Sequence, residues 1–438
     1  MKKYDTYKDS GNQWIGQVPE HWSVRKLKHI VSSIKSGGTP TSSNDSFYSE
    51  DGFPWVAIGD MSSSSYVLDT QKHITKAGVD DKGLTLYPVG TLLYSIYATI
   101  GKVSELRVPA YINQAILALV PKDDTYQRFL KYSLIAQEKY VYSLSNSNIQ
   151  ANLNAEIVSN LLCPLPPLTE QKAIANFLDK KTGEIDQAIA LFEQEKTDLQ
   201  AYRKAIISET VTKGLNPNAK LKDSGIQWIG QIPEEWSVKR LKHFVSLLTD
   251  GTHQTPTYIE EGVPFISIKD ISSGKIDFSD VKYISNEEHL ELQSHAPIEK
   301  GDIIFTRIGT LGIFLKVDTD RVFDIFVSVG LIKLIPNTIN TDYLVYYLSS
   351  DMIKEYISFT KVGEGTSAPK INLTSARNMP IITPSLAEQE AIANVLNKKT
   401  SDIDTAIERI KTQITELQAY RTALISEAVT GKIDVRNQ

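Results

Sequence analysis

The stretch LTEQKAIANFLDKKT at residues 168–182 decides the reading, because the chain writes it again at residues 386–400 as LAEQEAIANVLNKKT, with 11 of 15 positions identical. Each copy opens a longer run, to about Thr212 and Thr430, that contains no proline. In the first run Ile174, Leu178, Lys181, Ile185, Ala188, Phe192, Glu195, Leu199, Tyr202 and Ile206 follow in alternating steps of four and three. That is the period of a coiled-coil seam. Adding 218 gives Ile392, Leu396, Lys399, Ile403, Ala406, Ile410, Gln413, Leu417, Tyr420 and Leu424. Two long helices are predicted to meet along these seams, with matched polar intrusions setting the register. The alternative is that each packs separately on its own domain, as amphipathic helices commonly do.

Ahead of each helix lies a divergent domain between near-identical edges. DSGNQWIGQVPEHWSVRKLKHIVS at residues 9–32 and DSGIQWIGQIPEEWSVKRLKHFVS at residues 223–246 agree at 18 of 24 positions, an internal duplication at an offset of 214. Between the edges the similarity thins to apolar runs that read as paired strands, at 53–61 and 263–271, 90–96 and 301–307, and 115–120 and 329–335. Helical pieces follow at 126–144 and 342–359. Ser385 with Glu388 forms a capping box at the second long helix, and Thr169 is the expected cap of the first.

The expected fold is α/β, mixed α+β, with a pseudo-two-fold internal repeat. Two globular domains, residues 1–167 and 214–385, are separated by two long helices, 168–213 and 386–438, that form an antiparallel coiled coil. Matched edges around unlike interiors suggest common scaffolding carrying two domains with different tasks. A seam from residue 174 to 206 is roughly 48 Å long. Such a spacer suits a ligand with approximate two-fold symmetry and a helical repeat of ~34 Å, and DNA is the obvious one.

Composition sets few obstacles to this reading. The 438 residues, 41% hydrophobic and 23% charged, suffice for two or three cores. A net charge of −5 does not advertise a nucleic-acid binder, although a local basic face is enough. The single Cys163 excludes a disulfide framework and a cysteine-rich zinc site. No run approaches the length of a membrane span, and the polar start carries no signal-peptide core, so a cytoplasmic location is expected.

At this point the chain resembles the specificity subunit of type I restriction-modification systems along essentially its whole length. The resemblance rests on SGNQWIGQVPEHW and SGIQWIGQIPEEW, on SGGTPTSSN at residues 36–44 leading to FPWVAIGDM, on GDIIFTRIGTLG at 301–312, and on PLPPLTEQKAIANFLD with its copy PSLAEQEAIANVLN. It implies two target recognition domains, each reading one half of an asymmetric bipartite site in double-stranded DNA, with the helix pair setting the unread spacer. It also implies a non-catalytic subunit holding two modification subunits, which methylate adenine with S-adenosylmethionine, and in a full complex two restriction subunits, which use ATP and magnesium. No cofactor is expected in this chain. The second copy departs from the pattern, with TDGTHQTP at residues 249–256 in place of the paired glycines 37 and 38.

Catalytic motifs are not found. The short Asn/Asp-Pro-Pro-aromatic motif of adenine methyltransferases does not occur, and residues 90–102 lack the glycine spacing of a phosphate loop. The cluster Glu287, Glu288 and His289 reads as a solvated face rather than a metal site, and no metal ligands are assigned. A scaffold gripping protein or glycan, or a self-sufficient nuclease, are the competing classes.

Base edges are read by polar and cationic side chains on loops or helices, while phosphate contacts fix position. The candidates for DNA contact are Gly37, Gly38, Thr39, Ser42 and Asn44; Tyr97, Thr99 and Lys102; Asn146, Asn148 and Gln150; Thr252, His253 and Gln254; Arg307 and Thr310; and Lys361, Thr366 and Lys370. Each loop also reads as a plain turn, and Arg307 either meets guanine or pairs with Asp302. Trp14, Trp22, Trp228 and Trp236 read as core. The long helices offer Gln171, Asn176, Gln389 and Asn394 as exposed docking positions.

Overall fold

The computed structural model describes residues 2–62, 65–145, 153–362 and 368–436. The chain divides into two compact units, one made of Met1–Phe192 with Lys411–Gln438 and the other of Glu193–Ile410. Each unit holds one α/β domain and a part of each long helix, Leu168–Lys213 and Leu386–Val429.

In the first unit the domain is built on β1 (Val31–Ser36), β2 (Leu92–Ser95), β3 (Val103–Leu106) and β4 (Ile116–Pro121), in the sheet order β1-β4-β2-β3 with the short strand Tyr66–Val67 at the far edge. Alternation along the pleat sends Leu92 and Tyr94 to one core and Leu93 to another. Both faces are covered, which is why these strands read as continuous apolar runs rather than alternating ones. The helix α1 (Gln127–Ala136) lies against the first of these cores through Leu130 and Leu134.

The second unit repeats the plan with β5 (Val245–Asp250), β6 (Ile303–Thr306), β7 (Phe314–Lys316) and β8 (Val329–Leu334), in the order β5-β8-β6-β7, followed by α2 (Thr341–Leu348). Ile303 and Phe305 face the helix-side core and Ile304 the opposite one. The helical pieces expected at 126–144 and 342–359 each break in two, at Gln137 and at Ser349–Ser350. The runs at 53–61 and 263–271 stop being strand at Val56 and Ile266. There Asp60 and Asp270 accept from the backbone N–H of Ala57 and Ser267 at 2.8 and 2.7 Å and start a helical turn.

The joint between domain and helix is written twice. Trp22, fully buried, donates its Nε1–H to Glu170 at 2.8 Å, and Trp236 donates to Glu388 at 2.9 Å. Gln171 accepts from the Tyr126 N–H at 2.6 Å and donates to the Pro166 carbonyl; Gln389 does the same with Asn340 at 2.8 Å and with Pro384. Tyr132 reaches Asp179 and Thr182, and Tyr346 reaches Asn397 and Thr400.

Several expectations change here. Gln171 and Gln389 are buried staples, not exposed docking positions, whereas Asn176 and Asn394 are exposed. Thr169 lies inside the first long helix, one residue past its start at Leu168, so it is not a cap. Ser385 does cap the Glu388 N–H, but the Glu388 carboxylate goes to Trp236 instead of closing the box.

Within each unit the two helix segments run antiparallel. In the first, Ile174, Leu178 and Ile185 share a core with Leu424, Ile425 and Ala428; in the second, Ile206 and Ile207 share one with Ile392 and Leu396. The seam, however, is turned by one residue at every second position. It runs through Leu178, Thr182, Ile185, Ile189, Phe192, Lys196, Leu199, Arg203 and Ile206, and through Leu396, Thr400, Ile403, Ile407, Ile410, Ile414, Leu417, Arg421 and Leu424, all buried or half-buried. Tyr202 and Tyr420, expected on it, are 53% and 50% exposed, and Glu195 and Lys399 are exposed as well. Lys181 instead pairs with Glu184 at 2.7 Å. Side-chain size explains three of the shifted positions: Ile189, Ile407 and Ile414 bury more apolar surface than Ala188, Ala406 and Gln413 would.

Candidate nucleic-acid interface

In each domain the register places three strand ends on one edge of the sheet. Leu117 pairs with Ser36 and Ile116 with Ser95, so the end of β1, the end of β2 and the start of β4 lie together. Asp250 pairs with Gly330 and Thr306 with Val329, which gives the second domain the same edge. The loops that carry the described candidates leave from it.

Glycine is obligatory where each of these loops starts. A Cβ on Gly37 would stand 1.8 Å from the Ile112 carbonyl oxygen, and one on Gly251 would stand 1.9 Å from that of Ile325. Gly38 and Thr252 then donate their N–H to the same two carbonyls at 3.0 and 3.2 Å. The altered second-copy loop, TDGTHQTP, therefore keeps the close approach with a single glycine. Gly37 and Gly38 serve this packing, and Thr39 turns its hydroxyl to Gln114. Ser42 and Asn44 are exposed, although Asn44 caps a short 3-10 turn through the Ser46 N–H at 3.2 Å.

The next loop of the first domain, 96–102, is held by Leu153, whose N–H donates to the Ile96 carbonyl at 3.2 Å. Tyr97 is exposed there, beside Ala98 in the left-handed region at φ +56°. A non-glycine residue held there costs about 1 kcal/mol or more. The Thr99 hydroxyl is buried and has no hydrogen-bond partner among the described residues, while Lys102 is paired with Glu138 at 3.1 Å. Asn146, Asn148, Gln150 and Thr366 lie outside the described residues.

In the second domain three separate segments converge. Ile308 bridges to Lys370, Lys370 to Val362, and the Arg307 carbonyl accepts from the Ile371 N–H at 2.9 Å. Thr310 and Lys370 are exposed, and Lys361 is half-buried. Thr252 closes a turn with Gln254, whose side chain is exposed. Arg307 does not pair with Asp302, which instead holds Lys333 at 2.8 Å. Its Nη1 lies 2.6 Å from the buried Asp250 carboxylate, which also accepts from His253 at 3.3 Å and faces His295 at 3.8 Å. Asp250 and His295 were not among the sequence candidates. Only the Asp-Gly pair at the end of β5 marks the place.

Other titratable groups have local explanations. His289 is not on a solvated face: its ring bonds Asp324 at 2.6 Å in a half-buried setting, and burial raises the Asp324 carboxyl above the usual range. Among the described residues no group of three or more histidine, cysteine or acidic side chains is placed to hold a metal, and no helix is long and apolar enough to cross a membrane.

Two α/β domains of one plan, each stapled to an antiparallel helix pair and each presenting a loop-bearing sheet edge, define an internally duplicated α/β protein. The model of the family described as the type I restriction modification DNA specificity domain matches twice, over residues 19–199 and 233–416. The chain belongs to this family, and its role is DNA sequence specificity in a restriction-modification system. The type I restriction enzyme MjaVIII specificity subunit of Methanocaldococcus jannaschii is 27% identical over 433 residues, covering 96% of this chain and 95% of its own. The EcoBI specificity subunit of Escherichia coli is 24% identical, covering 88% and 81%. Among solved structures, a chain described in the assembly and conformational transition of the type I R-M system has a TM-score of 0.73 at 15% identity, covering 95% of this chain and 99% of that one. The HsdS subunit from Thermoanaerobacter tengcongensis has 0.53 at 16%, covering 95% and 98%. These two likenesses show the fold.

Proposed function

We propose that the domain at 1–167 reads one half of an asymmetric bipartite DNA site and the domain at 214–385 reads the other. The long helices Leu168–Lys213 and Leu386–Val429 set the unread spacer and dock two adenine methyltransferase subunits, with two restriction subunits added in a full complex. The chain performs no chemistry itself. S-adenosylmethionine, ATP and magnesium belong to the partners. The DNA contacts fall to the exposed edge loops, Ser42, Asn44, Tyr97, His253, Gln254, Thr310 and Lys370 foremost. The observation that carries this reading is the contrast between joints of identical chemistry and sheet edges of different chemistry.

The test is an exchange of residues 37–159 for the matching segment of another recognition domain, followed by mapping of methylated adenines after assembly with the methyltransferase. One half of the site should change while the other half and the spacer stay. Coupled change in both halves would overturn independent reading. Binding should also weaken steeply with salt, because phosphate neutralisation releases counterions.

A further inference from the structure

We propose that Asp250 is a positioning residue that holds Arg307 as the reader of a guanine in the half-site of the second domain. This rests on the reading that this domain takes one half-site. Asp250 ends β5 on the loop-bearing edge and is buried, with Arg307 Nη1 2.6 Å from its Oδ2. The same Nη1 donates to the Val327 carbonyl at 3.3 Å. The Nε of Arg307 is buried with no hydrogen-bond partner among the described residues, while the side chain as a whole keeps 13% of its surface exposed.

A guanidinium has five donors in a fixed fork, so one held nitrogen orients the rest. A buried unpaired donor is costly and is relieved by an incoming acceptor. The acceptor is a base edge rather than a phosphate. The carboxylate against Arg307 cancels most of the field that would draw an anion, yet it leaves hydrogen bonding to a neutral acceptor pair intact. Guanine O6 and N7 are that pair in the major groove. The first domain has Ser36 where the second has Asp250, and in its loop 96–102 the Thr99 hydroxyl is buried without a hydrogen-bond partner among the described residues. The two edges therefore offer DNA different chemistries.

The experiment assembles the full chain with its methyltransferase subunits and selects sites from DNA randomised in both halves. The wild type should require guanine at one position of the second domain's half-site. Arg307→Lys, which keeps the charge beside Asp250 but removes the fork, should relax that position by roughly tenfold to a hundredfold. Asp250→Asn should relax the same position and no other, with the first half-site unchanged. Loss of affinity spread evenly over all sequences, with a shallower salt dependence, would make Arg307 a phosphate contact and overturn the proposal. So would a half-site without a required guanine, or unaltered selection in both variants. Failure of the domain exchange described above would instead remove the half-site reading itself.

Discussion

Arg421 grips Asp186 through two nitrogens, Nε at 2.8 Å and Nη2 at 3.2 Å, across the helix pair of the first unit. Shifting both numbers by 218 gives Arg203 and Asp404, which pair at 3.1 Å within the second unit. In both pairs the residue numbers sum to 607, so the helices keep one antiparallel register in each place. The ion pairs mark that register more than they stabilise it, since Asp186 and Asp404 are more than half exposed.

Stability of the helix pair should therefore rest on the apolar seam. Ile403→Ala or Ile407→Ala is expected to cost about 2–5 kcal/mol, and Arg421→Gln no more than about 1 kcal/mol. Denaturant unfolding of the full chain orders the three. An Arg421 variant as damaging as the isoleucine variants would contradict the assignment.

Tyr202 and Tyr420 are exposed at matching positions in the same LQAYR sequence. Replacing either by Ser should change the stability of the isolated chain by less than about 0.5 kcal/mol. If the helix surface docks the modification subunits, the double variant should still weaken their co-purification. Large destabilisation of the chain alone would return these tyrosines to the seam.

Removing the staple should detach a domain from its helix. Trp22→Ala and Trp236→Ala are each expected to cost about 3–5 kcal/mol. Glu170→Gln should cost more than an exposed carboxylate would, because Tyr4, His21 and Trp22 all direct hydrogen bonds at it. Protease sensitivity confined to the unit carrying the substitution is the readout.

Acid should loosen the clasp at the end of the second long helix. The hydrogen bonds from Arg436, at 2.9 and 2.7 Å, hold the Asp434 carboxyl below the usual aspartate range. A depressed carboxyl contributes stability above its unfolded value, near 4, and loses it as the pH falls through the lower folded value. Asp434→Asn should thus be less stable than the wild type at pH 7, with the gap closing in acid. A gap that persisted at pH 2 would show that charge is not the cause.

Inserting seven residues, two turns, into both long helices should lengthen the spacer between half-sites and leave each half-site as it was. Methylated-site mapping decides it. An unchanged spacer would remove the ruler from the proposed function.

Much of this molecule was legible in one chain because duplication supplies its own comparison. The two copies of the tryptophan edge and of the helix start mark the repeated scaffold, while the joint that Trp22, Gln171, Trp236 and Gln389 make between domain and helix is visible only in the folded chain. A glutamine beside a helix start looks solvated until the neighbouring α1 or α2 brings a backbone N–H to it. The seam differs from the expected one because Ile189, Ile407 and Ile414, each one residue past Ala188, Ala406 and Gln413, turn inward, and the matched Lys181 and Lys399 give way to Thr182 and Thr400.

By itself the sequence determined the repeat, the two long helices and the strand runs of the sheets, since these depend on local periodicity. Tertiary structure alone decided which face of each helix turns inward, and that Asp250 meets Arg307 across 57 positions of chain. Burial and charge pairing between distant segments depend on where the sheet edge gathers its loops, and no local pattern encodes that.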